Sequence, residues 1–382
     1  MSTSLINKKP INVGVIFGGK SVEHEGSIQS AKHIFLAMNK EKFNPILIGI
    51  DRNGKWSILD NSFFFEHSRS EYFSLNSFNA DTIAIVPGGN GKIINISKNN
   101  IEQSLDVIFP ISHGGTGEDG TMQGLLRLMN IPFVGAGVLG SALGMDKDIT
   151  KQLAINAGVP TGKFLVLRKG ETIKYEDVVK ELGNNFFVKP ASLGSSVGIA
   201  KIKNVIEFTE AIDKAFLHDT KLLLEEGIIG REIECSVLGN KNLRFSILGE
   251  VISNARHEFY SFKAKYIDPE GAILEVPAKV NNDVVKKVHL FCEKIFKKLE
   301  CNGMARIDFF LKENGEILLN EINTIPGFTQ SSMYPRLWGA SGLSYASLIE
   351  QLIELAIEKF TMEKKIKCEV IHAQQNQKSV AN

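Results

Sequence analysis

The stretch Ala305-Arg-Ile-Asp308-Phe-Phe-Leu311, followed by Glu313-Asn-Gly-Glu316 and then Ile317-Leu-Leu-Asn-Glu321-Ile-Asn323, reads as two apolar-rich strands joined at a tight turn. Asn-Gly is the preferred pair for a two-residue hairpin turn. With such a turn, Asp308 faces Glu321 and Arg306 faces Asn323. The period of two puts all four on one face, which Phe310 and Leu319 continue. Facing carboxylates repel one another, so something cationic belongs between them. Arg306 alone would neutralise them in a surface hairpin. Alternatively, carboxylates with an amide oxygen suit a hard ion such as Mg²⁺.

Upstream, Phe186-Phe-Val-Lys189-Pro-Ala-Ser-Leu-Gly194-Ser195-Ser196-Val197-Gly198 reads as a strand entering a Gly/Ser-rich loop. Such a loop can turn backbone N–H groups toward phosphate oxygens, and Lys189 adds charge at its mouth. The same residues would also make an ordinary hairpin loop. Leu222–Glu226 is a strand that bends into Gly-Ile-Ile-Gly-Arg-Glu232. Glu225 and Glu232 can accept from an amine and a ribose hydroxyl, or sit solvated at a surface.

Nearer the N-terminus, Ile11–Phe17 is a buried strand that meets Gly18-Gly19. Ile28, Ala31, Ile34, Phe35 and Met38 recur at helical spacing, and Pro45–Ile50 is strand-like. Together they predict a β-α-β unit. Gly14 to Ser21 matches the phosphate-loop pattern G-x₄-G-K-[ST] letter for letter. That motif needs a loop between its glycines, yet Val15-Ile16-Phe17 is the heart of a strand, so the match is rejected. Glu23 follows the turn, at the carboxyl end of the strand, where open α/β sheets bind ligands. Residues 52–100 predict an insertion or irregular strands. Helices are expected over Lys147–Ala157, Val205–Leu217, Asn281–Leu299 and Ser344–Phe360, and residues 362–382 as a flexible tail.

The bulk numbers narrow the class. A chain of 382 residues suggests two or three domains, and 43% hydrophobic with 23% charged residues is ordinary for a globular protein. A formal net charge of +1 argues against a nucleic-acid partner. Cys235, Cys292, Cys301 and Cys368 are scattered without a CxxC pair, which argues against a zinc cluster or disulfide framework. No signal-like segment or membrane-length apolar run is present, so a cytoplasmic location is expected.

Seven segments, in order, resemble the D-alanine–D-alanine ligase family of the ATP-grasp superfamily. They are Phe17–Glu25, His113-Gly-Gly-Thr-Gly-Glu-Asp-Gly120, Met145-Asp-Lys147, Lys189–Gly198, Lys263-Ala-Lys-Tyr266, Ala305–Asp308 and Asn320-Glu-Ile-Asn-Thr-Ile-Pro-Gly327. The resemblance covers roughly residues 11–360. It implies an α/β (α+β) chain with an ATP-grasp fold and a Rossmann-like pre-ATP-grasp domain. The expected division is 1–140 for the N-terminal substrate domain, 141–230 for the central subdomain and 231–361 for the C-terminal subdomain. A homodimer and a role in peptidoglycan precursor synthesis are also implied.

The same resemblance assigns roles. Lys147 and Lys189 would contact the ATP phosphates under the 189–198 loop, Ser196 included. Glu225 would meet the adenine amine and Glu232 the ribose, with Phe259 and Phe310 on the purine and Lys265 on the lid over the site. Asp308, Glu321 and Asn323 would hold two Mg²⁺, for which Mn²⁺ can substitute. Glu23 would bind the first D-alanine ammonium, with His113 near its carboxylate, and Ser195 and Tyr266 would chain to Glu23. Ser332 and Met333 would place the second D-alanine. Arg306 and the N–H of Gly327 would stabilise the tetrahedral oxyanion. The implied reaction makes an acyl phosphate of one D-alanine and joins it to a second. D-lactate or D-serine as the second partner is the near alternative; the neutral phenol of Tyr266 favours an amine over the lactate hydroxyl. Gly26, Gly115, Ser261 and Phe262 depart from the family's usual residues.

Overall fold

The computed structural model describes residues 9–67, 75, 80–195, 197–253 and 272–380. Its first strand, β1 (Ile11–Gly18), passes through helix α1 (His24–Ala37) to β2 (Phe43–Ile50), and the two strands pair in parallel along their whole length. Gly14 lies in mid-strand, where an added Cβ would stand 2.8 Å from Leu105. The phosphate-loop match is therefore a strand, as its apolar letters require. Gly18 and Gly19, at φ of 87° and 100°, make the turn that only glycine enters without strain.

Residues 52–110 complete the sheet with β3 (Trp56–Ile58), helix α2 (Asn61–His67), β4 (Asp81–Ile85), β5 (Lys92–Asn95), β6 (Asn100–Ser104) and β7 (Val107–Pro110). The order is β6-β5-β4-β3-β2-β1-β7. The irregular-looking insertion is thus a meander of short antiparallel strands on one side of a parallel centre. The parallel neighbours β1 and β7 release their carboxyl ends side by side, at Gly18-Gly19 and Ser112-His113.

Helices α3 (Thr121–Leu128), α4 (Val138–Met145) and α5 (Lys147–Asn156) lead to a second sheet. It contains β8 (Phe164–Arg168), α6 (Tyr175–Leu182), β9 (Phe186–Pro190), β10 (Ala200–Ile202), α7 (Val205–Ala215) and β11 (Lys221–Glu226), in the antiparallel order β10-β9-β11-β8. The third sheet has β12 (Arg231–Gly239), β13 (Arg244–Phe245), β14 (Gly249–Ser253), β15 (Ala272–Glu275), then helix α8 (Asn282–Lys298), β16 (Gly303–Leu311) and β17 (Ile317–Asn323). Its order is β15-β14-β12-β16-β17, with β13 on β12. Asn281 caps α8 by accepting from Val284 N at 2.9 Å.

The chain closes with α9 (Met333–Ala340) and α10 (Tyr345–Val380). Helix α10 continues past Phe360, where a flexible tail was expected. Its extension, Thr-Met-Glu-Lys-Lys-Ile-Lys, is made of good helix formers although it lacks an apolar stripe. Among the described residues no helix is long and apolar enough to cross a membrane.

Packing cuts across the linear divisions. The first sheet shares one apolar core with Phe328, Tyr334, Trp338 and the α10 residues Leu348, Ile349, Leu352 and Ile353. Ala154 of α5 belongs with the core under β12, β16 and α8, not with the second sheet.

The β16–β17 hairpin departs from the expected turn in an instructive way. Asp308 faces Glu321 and Arg306 faces Asn323, as read from sequence, but Phe310 faces Leu318. Lys312 N bonds to Glu316 O at 2.9 Å, so the loop has three residues, Glu313 to Gly315, with Gly315 at φ 81°. This shifts the register by one. A bulge at Asp308/Phe309 shifts it back. Leu319, expected beside Phe310 on the site face, therefore lies in the core with Phe309.

Candidate active site

The site-facing side of the third sheet is an acid wall around one guanidinium. Glu234 on β12 lies opposite Asp308, which lies opposite Glu321. Arg306 Nε stands 2.9 Å from both Glu234 Oε2 and Asp308 Oδ1, and its Nη2 is 2.8 Å from Asp308 Oδ2. Asn323 Nδ2 reaches the same Asp308 oxygen at 3.0 Å. Strand pleating delivers this cluster: alternate residues of three neighbouring strands share a face. The alternate set on β16, Ala305, Ile307 and Phe309, points into the core. Among the described residues no three acidic, His or Cys side chains already form a metal cage. Mg²⁺ binds through one or two carboxylates plus substrate phosphates and keeps its waters. Asp308 and Glu321 supply hard oxygens, and half a turn of the Asn323 amide presents a third.

The second sheet offers the opposite sign. Glu225, 2% exposed at the end of β11, holds Lys189 Nζ at 2.5 Å on one oxygen and Lys151 on the other. Burial raises the Glu225 pKa, but the two lysines outweigh it and hold the carboxyl at about 2. Glu225, read from sequence as an adenine contact, is here the buried counter-ion of two lysines. Lys147 opens α5. Its Nζ donates to Leu193 O at 2.6 Å and stands 3.9 Å from Glu321 Oε2, so it bridges the loop to the acid wall. The helix start is fixed by Asp146, which accepts from Ile149 N and is clamped by Lys221 at 2.6 Å.

Between the walls lies an open cleft lined by Lys147, Phe187, Lys189, Gly194, Ser195, Glu232, Arg306, Asp308, Phe310 and Glu321, among others. Lys147, Gly194, Asn320 and Glu321 also line an adjoining chamber that runs toward Glu118, Asn323 and Thr324. Glu232 faces Phe310 across β12 and β16.

The first sheet closes the end of that chamber. Glu23 stands at the N-cap position of α1 without a side-chain capping bond, and its backbone N–H donates to Ser21 Oγ at 3.1 Å. Its Oε2 lies 2.8 Å from where a Gly114 Cβ would be and 3.6 Å from a Gly194 Cβ. The 189–198 loop therefore reaches Glu23, next to Ser195, which adopts φ 55°. His113, 6% exposed, pairs Nε2 with Ser30 Oγ at 3.1 Å and Nδ1 with Ile325 O at 3.0 Å. Burial lowers its pKa, while Glu118 and Glu23 more than offset this and raise it. Both ring nitrogens of His113 thus have protein partners, and the ring ties the first sheet to the 323–328 segment.

On the far side, Ser332 Oγ accepts from Thr329 N at 3.1 Å and stands 3.1 Å from where a Gly327 Cβ would be. The two residues are therefore neighbours. Met333, expected beside the second D-alanine, packs its side chain with Val251 and Leu337 and against Gly249. Ser196, Phe259, Lys265 and Tyr266 lie outside the described residues. Sequence reasoning missed Lys151, Lys221, Glu118 and Glu234. Glu234 had a signal, since it shares a strand face with Glu232; Lys151 had one too, four residues beyond Lys147.

Comparison with known proteins decides the family. The model described as "D-ala D-ala ligase N-terminus" matches residues 12–136, and "D-ala D-ala ligase C-terminus" matches 153–354. The chain belongs to the D-alanine–D-alanine ligase family. A D-alanine–D-alanine ligase of Oceanobacillus iheyensis is 48% identical over 359 residues, covering 93% of this chain and 97% of that one. The solved D-alanine–D-alanine ligase of Coxiella burnetii matches with a TM-score of 0.84 and 38% identity, over 96% of this chain and all of that one. The VanG D-Ala:D-Ser ligase of Enterococcus faecalis matches at 0.81 and 35%, over 91% of this chain and all of that one. These ligases share the ATP-grasp fold, and the three sheets of this chain follow it.

Proposed function

We propose that this protein couples ATP hydrolysis to the joining of two D-alanine molecules, through an acyl phosphate of the first. The observation that carries the reading is convergence. Lys147 and Lys189 beside the second sheet and Asp308 with Glu321 from the third line adjoining chambers, and Glu23 from the first sheet reaches their shared edge at Gly194. An amino acid with its ammonium at Glu23, beside a nucleotide whose phosphates and metal meet the lysines and the acids, uses all of them.

Lys147 and Lys189 hold the transferring phosphate and offset its charge. Asp308, Glu321 and Asn323 would hold Mg²⁺, or Mn²⁺ in its place, which supplies charge neutralisation at the phosphate oxygens. Glu23 binds the first D-alanine ammonium and leaves its carboxylate facing the phosphate. Arg306 and the Gly327 N–H receive the charge of the tetrahedral adduct. Ser332 orients the second D-alanine by its carboxylate. Phe310 and Glu232 fit the purine and ribose ends of the cavity. Ser195, next to Gly194, would extend the hydrogen bonding of Glu23, and the family resemblance would have Tyr266 complete that chain.

The product suits peptidoglycan precursor synthesis in the cytoplasm by a homodimer. Free, buried Cys235, Cys292 and Cys301 fit a reducing compartment. D-Alanine is favoured over D-serine as the second partner because the D-alanine–D-alanine ligases at 44–48% identity match over 93–94% of this chain. The test is phosphate release with ATP and Mg²⁺ across D-alanine, D-serine, D-lactate and L-alanine, with product analysis. D-Alanyl-D-alanine, ADP and phosphate are expected. Release with L-alanine but not D-alanine would overturn the assignment.

A further inference from the structure

Lys151 has no place in the reaction described above, yet it is the best-buried cation near the site, 1% exposed. It lies one helical turn beyond Lys147 on α5, with Nζ 6.0 Å from the centre of the Phe164 ring. Its ammonium meets Glu225 Oε1, while Lys189 meets Oε2. The two lysines differ in one respect. Lys189 lines the cavity with 14% of its side chain exposed, whereas Lys151 is sealed behind Glu225 and lines no part of it.

We propose that Lys151 is the fixed counter-ion of Glu225 and so frees Lys189 to bind a nucleotide phosphate. The proposal rests on the ligase reading for the nature of the ligand. A buried carboxylate with one lysine partner holds that lysine tightly, because separating a buried pair leaves an uncompensated charge. Drawing Lys189 toward a phosphate would then carry that penalty. With Lys151 in place, Glu225 remains paired when Lys189 turns away. Glu225 in turn keeps the two ammonium groups, which would otherwise repel each other. Lys151 is therefore a positioning residue that acts through Glu225 on Lys189.

The test is a cycle of Lys151→Met, Glu225→Gln and the double variant, read by binding of a fluorescent ATP analogue and by steady-state kinetics at a temperature where all are folded. Lys151→Met should weaken analogue binding about ten-fold or more and raise the KM for ATP, with the KM for D-alanine little changed. Glu225→Gln added to Lys151→Met should restore most of the lost binding, although it removes a second charged group. A residue that merely supports the fold would lower Tm and shift both KM values together, with no recovery of nucleotide binding in the double variant. Unchanged analogue binding in Lys151→Met would overturn the proposal, as would a double variant no better than the single. Should Lys151→Met fail to fold, the double variant carries the test. It lacks the Glu225 charge, so it should bind the analogue within a few-fold of Glu225→Gln alone, and a further loss of about ten-fold or more relative to Glu225→Gln would overturn the proposal. Analogue binding needs no amino acid, so failure here is separable from failure of the D-alanine assignment, which would appear as wild-type protein that binds nucleotide but gives no dipeptide.

Discussion

The two walls of the cleft are built on opposite plans. On the second sheet, Glu225 sits between Lys151 and Lys189; on the third, Arg306 sits against Glu234 and Asp308, with Glu321 facing Asp308. Each wall gathers one sign of charge and offsets part of it with a single residue of the other sign. On the proposed reading, the lysine wall would meet phosphate oxygens and the acid wall a hard cation. The difference also shows why the ligand-free protein tolerates such clusters. Like charges facing across strands are unfavourable, and the central ion of opposite sign relieves them until ligand arrives.

The largest effect that sharpens this comparison is expected on the acid wall. Glu321→Gln should lower kcat by a factor of about 100 or more, since an interaction made with the transferring phosphate's metal is lost. The melting temperature should hold, because a charge facing Asp308 is removed. Circular dichroism melts beside a phosphate-release assay check both halves, and near-normal turnover at ordinary Mg²⁺ would remove these acids from the metal site.

The lysine wall is expected to show itself in acid stability. The Glu225 carboxyl, held at about 2 against an ordinary 4.5, binds its proton less readily in the folded state. Its stabilisation is therefore complete above pH 4.5 and is lost as pH falls toward 2, to a total of about 3 kcal/mol. Urea unfolding from pH 5 downward should show wild type losing stability faster than Glu225→Gln. Parallel curves would mean that the buried pairing is not what holds this carboxyl ionised.

Two glycines sharpen the picture away from charge, with smaller effects of opposite sign. Gly315 turns the acid-wall hairpin at φ 81°, so Gly315→Ala should destabilise by about 1 kcal/mol although nothing lies within 4 Å of the new methyl. Gly26, in α1, also has open space around a new Cβ and no positive φ. Gly26→Ala should stabilise by about 0.5–1 kcal/mol. Thermal melts of both variants decide it; equal signs would contradict the backbone assignment.

Much of this site was legible in the sequence because strand periodicity is local. The facing of Asp308 with Glu321 followed from a hairpin signal and a period of two, and it survived an incorrect turn length because the bulge restored the register. What was not legible depended on long-range packing. The helical spacing puts Lys151 on the face of Lys147, but the contact of α5 with β11 that buries it is long-range. Glu225 reads as an exposed edge acid until the strands on either side of it are known. The partners of His113, Ser30 and Ile325, are 83 and 212 residues away and could not be read locally. The 52–100 meander stayed obscure because its strands are short and partly polar, so neither period stands out.

The account's central claim is that the metal belongs to the acid wall and the phosphates to the lysine wall. Mn²⁺ binding, followed by electron paramagnetic resonance with a non-hydrolysable ATP analogue, tests it most directly. Glu321→Gln should weaken Mn²⁺ binding about ten-fold or more while leaving analogue binding in EDTA intact, and Lys189→Met should weaken analogue binding even in EDTA. Undiminished Mn²⁺ binding by Glu321→Gln, with the analogue bound, would contradict the claim.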